Sequence, residues 1–365
     1  MAPVVDALRG REPELETRVC LTGQHTELVD QVLEAFDLRP DYDLGIMREG
    51  QSLYDVVHRA LDGLREVVTG FRPHALLVQG DTATVFVGSL VGYFERVKVG
   101  HVEAGLRSHD KWAPFPEEIF RRLSDVLSDY YFAPTPGARD ALRAEGVPPE
   151  RVYVTGNTVV DALLSVSQEE RAVEDPTLAR VLGSGRRLVL LTAHRRESFG
   201  EPLREAFGAV RALADAAADI EIVYPVHPNP NVREPARELL SDHPRIHLIA
   251  PLGYLDLVSA LRHAALVLTD SGGIQEEAPT FGTPVLVLRE VTERPEGVEA
   301  GVAELVGTDG ERIVSRGLAL LEGSRSSAPP PNPYGDGRAG ERIADILLAD
   351  LTGRARSTED WESAG

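Results

Sequence analysis

The chain of 365 residues holds one cysteine, Cys20. No intrachain disulfide can form, and the composition suits a reducing compartment. Long apolar runs are missing as well. None approaches the ~20 residues that a membrane-spanning helix needs. The opening residues lack the basic and apolar segments of a secretory signal. We therefore expect a cytoplasmic protein. Positive charge is scarce: 38 Lys and Arg stand against 58 Asp and Glu, a formal net charge of −20. That argues against nucleic acid or an anionic membrane as partner. A small anion is still admissible, because a few Arg, His and N–H groups can hold one locally. The His residues show no zinc-ligand spacing, so neither a metal nor a cofactor is expected.

What is present is the composition of a soluble globular chain, 42% hydrophobic and 26% charged. The length exceeds one core, so two domains are expected. Apolar runs alternate with helical patterns. Met1–Arg9 reads as an amphipathic helix with Val4, Val5 and Leu8 on one face. Strands are expected at Thr17–Leu21, Ala75–Val78, Lys98–Val102, Tyr130–Ala133 and Val152–Thr155. A long helix, Ala162–Leu182, precedes a second series of strands: Leu188–Thr192, Ile220–Val226, Ile246–Ile249, Leu266–Thr269, Val285–Leu288 and Ala303–Val306. This predicts an α/β protein of two Rossmann-like, doubly wound parallel-sheet domains facing a cleft. We expect an N-terminal domain over 1–157 and a nucleotide-binding domain over 158–339. Residues 340–365 would form a closing helix, packed back on the first domain, and a polar tail.

The polar residues collect where strands end. Gln79-Gly80-Asp81-Thr82, Glu103-Ala104-Gly105-Leu106-Arg107 and Thr155-Gly156-Asn157 do so in the first half. His194-Arg195-Arg196, His227-Pro228-Asn229 and Asp270-Ser271-Gly272-Gly273 do so in the second. Ligands of open α/β sheets bind at the carboxyl ends of strands. The Ser271-Gly272-Gly273 turn leads into a helical pattern, Ile274–Thr280, and so suits a phosphate. Asp81, Glu103 and Glu117 are candidate acids and bases, since gathered carboxylates raise one another's pKa toward neutrality. Asp81 could instead cap a helix, and Glu117 could be a first-turn helix acid. His194, Arg195 and Arg196 suit a phosphate or a leaving-group charge; the plain alternative is a solvated charge run.

Together these stretches resemble the non-hydrolysing UDP-N-acetylglucosamine 2-epimerases. The matching motifs run in order from TGQH (Thr22–His25) through GDT (Gly80–Thr82), GHVEAGLRS (Gly100–Ser108) and FPEE (Phe115–Glu118). They continue with TGNTVVDAL (Thr155–Leu163), HRRESFG (His194–Gly200), YPVHPNPNVREP (Tyr224–Pro235), LTDSGGIQEEAP (Leu268–Pro279), TERPE (Thr292–Glu296) and NPYGDG (Asn332–Gly337). The resemblance implies a fold like the GT-B glycosyltransferases. It implies conversion of UDP-GlcNAc to UDP-ManNAc through elimination of UDP and a 2-acetamidoglucal. Asp81, Glu103 and Glu117 would be the acid/base set, with His194 by the sugar and diphosphate. Arg121 would contact substrate. Ser271, Gly272 and Gly273 would hold the diphosphate, Glu277 the ribose and Arg294 a phosphate. A second UDP-GlcNAc would bind as activator at Gln24, Arg59, Arg195 and His227, although Glu27 stands where the family pattern has Gln. A homodimer is implied. The family pattern also opens with a strand and a Gly-Thr-Arg-Pro-Glu loop ahead of the residues matching Met1–Leu8. Roughly fifteen residues, one strand and a turn, are thus expected to be missing, leaving two strand edges of the first sheet unpaired. The natural start is expected upstream of Met1. The alternatives are a GT-B glycosyltransferase, a hydrolysing epimerase and an inactive sugar-nucleotide binder.

Overall fold

The computed structural model describes residues 1–23, 26–48, 50–168, 171–323 and 331–362. The chain divides into two compact units. Unit 1 comprises Met1–Ala162 and the stretch from Tyr334 onward; unit 2 is Leu163–Pro333. Both are α/β, and every strand pairing described is parallel. No described helix is long and apolar enough to cross a membrane.

Unit 1 runs α1 (Ala2–Arg9), β1 (Cys20–Leu21), α2 (Thr26–Ala35), β2 (Tyr42–Asp43), α3 (Leu53–Phe71), β3 (Ala75–Gln79), α4 (Ala83–Phe94), β4 (Lys98–Val102), α5 (Glu117–Val126), β5 (Tyr130–Ala133), α6 (Pro136–Ala144) and β6 (Val152–Val154). In α1 the sequence pattern holds: Ala2, Val4, Val5 and Leu8 are buried. The closing helix Ala339–Thr352 packs on α1. It comes so close that a side chain on Gly340 would begin 2.7 Å from the Pro3 carbonyl. Asp161 accepts the Gly340 N–H at 2.8 Å.

The strands of unit 1 form a four-stranded sheet, β3-β4-β5-β6, and a separate pair, β1-β2. The strand expected at Thr17–Leu21 shortens to Cys20–Leu21. Its partner β2 is only two residues long and gives no periodic signal. Asp41 secures the pair by accepting the Val19 N–H at 2.8 Å. Between β1 and β3 lies a cavity of about 750 Å³, lined by Cys20 and Leu21 on one side and Leu76, Leu77 and Val78 on the other.

Unit 2 holds one six-stranded sheet. Its strands are β7 (Arg187–Thr192), β8 (Ile220–Pro225), β9 (Ile246–Ile249), β10 (Ala264–Thr269), β11 (Val285–Val287) and β12 (Ala303–Leu305), in the order β12-β11-β10-β7-β8-β9. The order reverses between β7 and β10, which are neighbours. Such switch points place ligands at the strands' carboxyl ends. The single helix expected over Ala162–Leu182 is two, Thr158–Val166 and Pro176–Leu182. Pro176 lacks an N–H and pushes the residue before it out of helical geometry. Asp175 accordingly sits at φ −68°, ψ 118° and caps the second helix by accepting from Thr177 and Leu178. The helix expected at Ile274–Thr280 runs from Gly272 to Glu277 and tightens into a 3₁₀ turn, Ala278–Phe281, where Pro279 intervenes.

Candidate active site

In unit 2 the two central strands deliver their polar residues to one place. Asp270, directly after β10, is 1% exposed. One of its oxygens accepts the backbone N–H groups of His194 (2.7 Å) and Arg195 (2.8 Å), which follow β7. The other has no hydrogen-bond partner among the described residues and faces the His194 Nδ1 at 3.5 Å. Asp270 therefore ties the His194 segment to the Ser271 turn. Thr192 and Thr269 add a hydroxyl pair at 2.6 Å, and Thr269 accepts the Ser271 N–H at 2.9 Å. Burial lowers the His194 pKa against the pull of Asp270, and the nearby His227 and Arg195 lower it further. The ring is thus neutral near pH 7. It stacks on His227 with 5.6 Å between centroids.

The glycines bring the turn close to its charged neighbours, at ordinary contact distance. A side chain on Gly272 would start 3.6 Å from the Arg195 guanidinium, and one on Gly273 would start 3.4 Å from a Glu277 oxygen. Burial, and then the charge of Glu276, push the Glu277 carboxyl up to about 7. Arg294 is ion-paired with Glu276. The opening N–H groups of the short helix have no acceptor within it, so this turn can receive an anion.

Unit 1 assembles carboxylates. Glu103 closes β4 at φ +68°, a left-handed backbone that costs a non-glycine residue about 1 kcal/mol or more. Its carboxylate accepts from Gln79, at the end of β3, at 2.6 Å. Gln79 also donates to Thr158 at 3.0 Å. This is the partner that a carboxylate at the end of so apolar a strand requires. Asp81 is not a helix cap, since the N-cap of α4 is Thr82. It is ion-paired with Arg121 on α5, which also holds Glu118 at 2.8 Å. Glu118 is 1% exposed and accepts the Ser108 N–H at 3.0 Å. Glu117 is the first residue of α5 and half-buried. Asp81 and Glu103 thus stand at the ends of β3 and β4, and Glu117 opens α5 one turn before Arg121, the partner of Asp81.

A family model for UDP-N-acetylglucosamine 2-epimerase matches residues 7–348. The chain belongs to the UDP-N-acetylglucosamine 2-epimerase family. It is 46% identical over 357 residues to the UDP-N-acetylglucosamine 2-epimerase of Salmonella typhimurium, covering 95% of this chain and 94% of that protein. Among solved structures it is similar to the S. aureus MnaA–UDP complex, with a TM-score of 0.87, 42% identity, and 99% and 96% of the two chains covered. It is also similar to the Neisseria meningitidis UDP-GlcNAc 2-epimerase bound to UDP-GlcNAc, with a TM-score of 0.84, 41% identity and 95% of each chain covered.

Of the positions expected from this epimerase resemblance, Asp81, Glu103 and Arg121 lie together in unit 1, with Glu117 one turn before Arg121 on α5. His194, Ser271, Gly272, Gly273, Glu277 and Arg294 lie together in unit 2. Arg195 and His227 join the second group rather than standing apart from it. Arg59 on α3 reaches the Ile46 carbonyl at 3.4 Å. Gln24 lies outside the described residues. Sequence reading missed Asp270 and Glu118 as site residues. Asp270 had a signal, an acid directly after a buried strand. Glu118 had only its i, i+3 spacing to Arg121, which does not say which of two adjacent glutamates turns inward.

Proposed function

We propose that the protein interconverts UDP-N-acetylglucosamine and UDP-N-acetylmannosamine. A unit 1 carboxylate removes the C2 proton. The C1–O bond to UDP breaks with its electron pair leaving on the β-phosphate, and C1=C2 forms, giving 2-acetamidoglucal. UDP then adds back at C1 while a proton returns to the opposite face of C2. Asp81, Glu103 and Glu117 form the acid/base set, with Arg121 orienting Asp81 beside the sugar. Ser271, Gly272 and Gly273 carry the diphosphate and Glu277 the ribose hydroxyls. Arg294 reaches a phosphate, and neutral His194 donates toward the departing charge. Because Arg195 and His227 adjoin the same turn, an activating second UDP-GlcNAc on them would lie beside the diphosphate.

The observation that carries this reading is Glu103, a carboxylate in a disfavoured backbone, held by Gln79 beside the Gly80–Asp81 turn. Strain of this kind persists where the surrounding structure over-determines it, and it clusters at functional sites. The test is incubation with UDP-GlcNAc in D₂O, followed by NMR. Deuterium should enter C2 as UDP-ManNAc appears. Glu103→Gln should lower C2 exchange roughly 10²–10⁴-fold, the range for loss of a general acid or base, and should leave UDP binding intact. Full exchange in that variant refutes the assignment. Free ManNAc from the wild type points to hydrolysis instead.

A further inference from the structure

Beneath the carboxylates of unit 1 lies a buried charge array that the reaction as written does not use. His101, on β4, is 0% exposed. Its Nδ1 lies 2.7 Å from the Asp125 Oδ1 on α5, and its Nε2 lies 2.7 Å from the Gly80 carbonyl. A carbonyl only accepts, so Nε2 must carry a hydrogen. A neutral ring would then leave Nδ1 bare, able only to accept from a protonated Asp125. Asp125 is not protonated. Its other oxygen takes a guanidinium contact from Arg107 at 2.7 Å and accepts the Gly105 N–H at 3.3 Å. Two donors on one oxygen, one of them cationic, hold the carboxyl ionised. Both nitrogens of His101 therefore carry hydrogens, and the ring is charged.

The surroundings agree. Burial opposes the charge, but Asp125, the Gly80 carbonyl and Glu103 together raise His101 above the ordinary histidine pKa. Burial likewise works against Asp125, yet His101 and Arg107 hold it below the ordinary carboxylate range. Arg107 continues outward to Glu145 at 2.8 Å. Tyr131 on β5 also faces Asp125; burial, then Asp125, push its phenol up to about 12, so it stays neutral. The array alternates in sign, His101, Asp125, Arg107, Glu145, and Glu103 is the further carboxylate acting on His101.

We infer that His101 is a permanent imidazolium that clamps the Gly80–Asp81 turn from below and sets a fixed positive charge beside Glu103, making it a positioning residue for the proton chemistry of unit 1. The inference rests on the proposed function. The clamp acts where position matters most. Gly80 sits at φ +84°, and a side chain on it would begin 3.7 Å from the Glu103 Oε2. The Gly80 carbonyl is thus held by His101 just before Asp81, while the Gly80 Cα borders Glu103. No neutral side chain offers two opposed donors and a charge at this depth. A glutamine could satisfy Gly80 or Asp125 but would leave Asp125 with one countercharge fewer.

The test uses the whole protein, with histidine ring nitrogens labelled with ¹⁵N and His101 assigned by loss of its signals in His101→Gln. Between pH 6 and 8.5 the wild type should show two protonated nitrogens at His101. In Asp125→Asn one of them should become bare. His101→Gln should lower the kcat of UDP-GlcNAc C2 exchange roughly 10–100-fold, the scale of one lost charge-assisted hydrogen bond. KM and the Kd for UDP should stay within about threefold. A bare His101 nitrogen in the wild type at pH 7 overturns the inference whatever the activity. An unchanged kcat in a folded His101→Gln overturns the positioning role, as does a loss carried by KM alone. Should His101→Gln fail to fold, the wild-type spectrum and the kcat of Asp125→Asn decide in the same way. A wild type without C2 exchange removes the proposed function and the positioning role with it. The spectrum then still judges the fixed charge.

Discussion

The two units solve the same folding problem to different degrees. In unit 2 the central strands β7, β8 and β10 are flanked on both edges, and most of their residues are buried. In unit 1, β4 and β5 reach a similar state, but β3 does not. Its five residues, Ala75-Leu-Leu-Val-Gln, are all only half-buried. The cause is local. β3 pairs with β4 on one edge and borders the cavity on the other, with β1 beyond it in a different sheet. Composition does not separate the two sheets; an apolar strand gains its full burial only when both edges and both faces are covered. The acid-bearing unit is therefore the looser one at the strand that carries Gln79, the partner of Glu103.

Truncating matched leucines measures that difference most directly. Leu190, on β7, is 0% exposed, whereas Leu77, on β3, is half-buried and leans over Gly100. Leu190→Ala should destabilise by about 4 kcal/mol, from lost transfer energy and an unrelaxed cavity. Leu77→Ala should cost about 1 kcal/mol, since much of its surface is already uncovered. Denaturant unfolding checks both. Trp112 and Trp361 both belong to unit 1, so fluorescence follows that unit while far-UV circular dichroism follows the whole chain. Equal losses for the two variants would break the comparison.

The same contrast marks how far the sequence could be read. Doubly wound strands of unit 2 announce themselves as apolar runs ended by polar clusters, and β8 to β11 fall within two residues of expectation. The edge around β1 does not announce itself. Two-residue strands have no period, and their few backbone hydrogen bonds are reinforced by one side chain, Asp41, reaching Val19 from 22 positions away. The site divides similarly. Residue types at strand ends point to Asp81, Glu103 and His194. Only packing shows that Arg121 is already paired with Asp81 and Glu118, that Arg294 is paired with Glu276, or that His101 faces two acceptors at once. Those facts depend on distances between elements, which periodicity does not encode.

Two carboxylates, one in each unit, are shifted with opposite sign. In unit 2, Glu277 is raised from 4.5 to about 7. Its folded form keeps a proton that the unfolded chain has released, so stability falls as pH rises from about 4.5 through 7. In unit 1, Asp125 is lowered, so its contribution is present at neutral pH and is lost as pH falls through its folded value. Glu277→Gln should remove the unit 2 penalty, a gain of roughly 2–3 kcal/mol above pH 7 and almost none at pH 4.5. Stability curves for wild type and variant that stay parallel from pH 4.5 to 8 would rule this out.

The finest reading of the difference is strand by strand, through native-state hydrogen exchange. In a parallel sheet, alternate residues of an edge strand direct both N–H and C=O away from their neighbour. Along β3 those groups point toward the cavity side. The ones directed at β4 are protected, but by a strand with little burial to hold it in place. β7 and β8 have partners on both edges and need the whole sheet to open. Opening free energies follow such differences in burial and pairing. We expect the slowest amides of β3 to exchange at least about tenfold faster than the slowest of β7 and β8, roughly 1.4 kcal/mol of local opening. Amides of β4 and β5 should exchange at rates closer to those of β7, because the looseness belongs to the cavity edge rather than to unit 1 as a whole. If β3, β4 and β7 all exchange together, the cavity does not weaken its border. The half-burial of β3 would then be a surface property without energetic consequence for Gln79 and the carboxylate it holds.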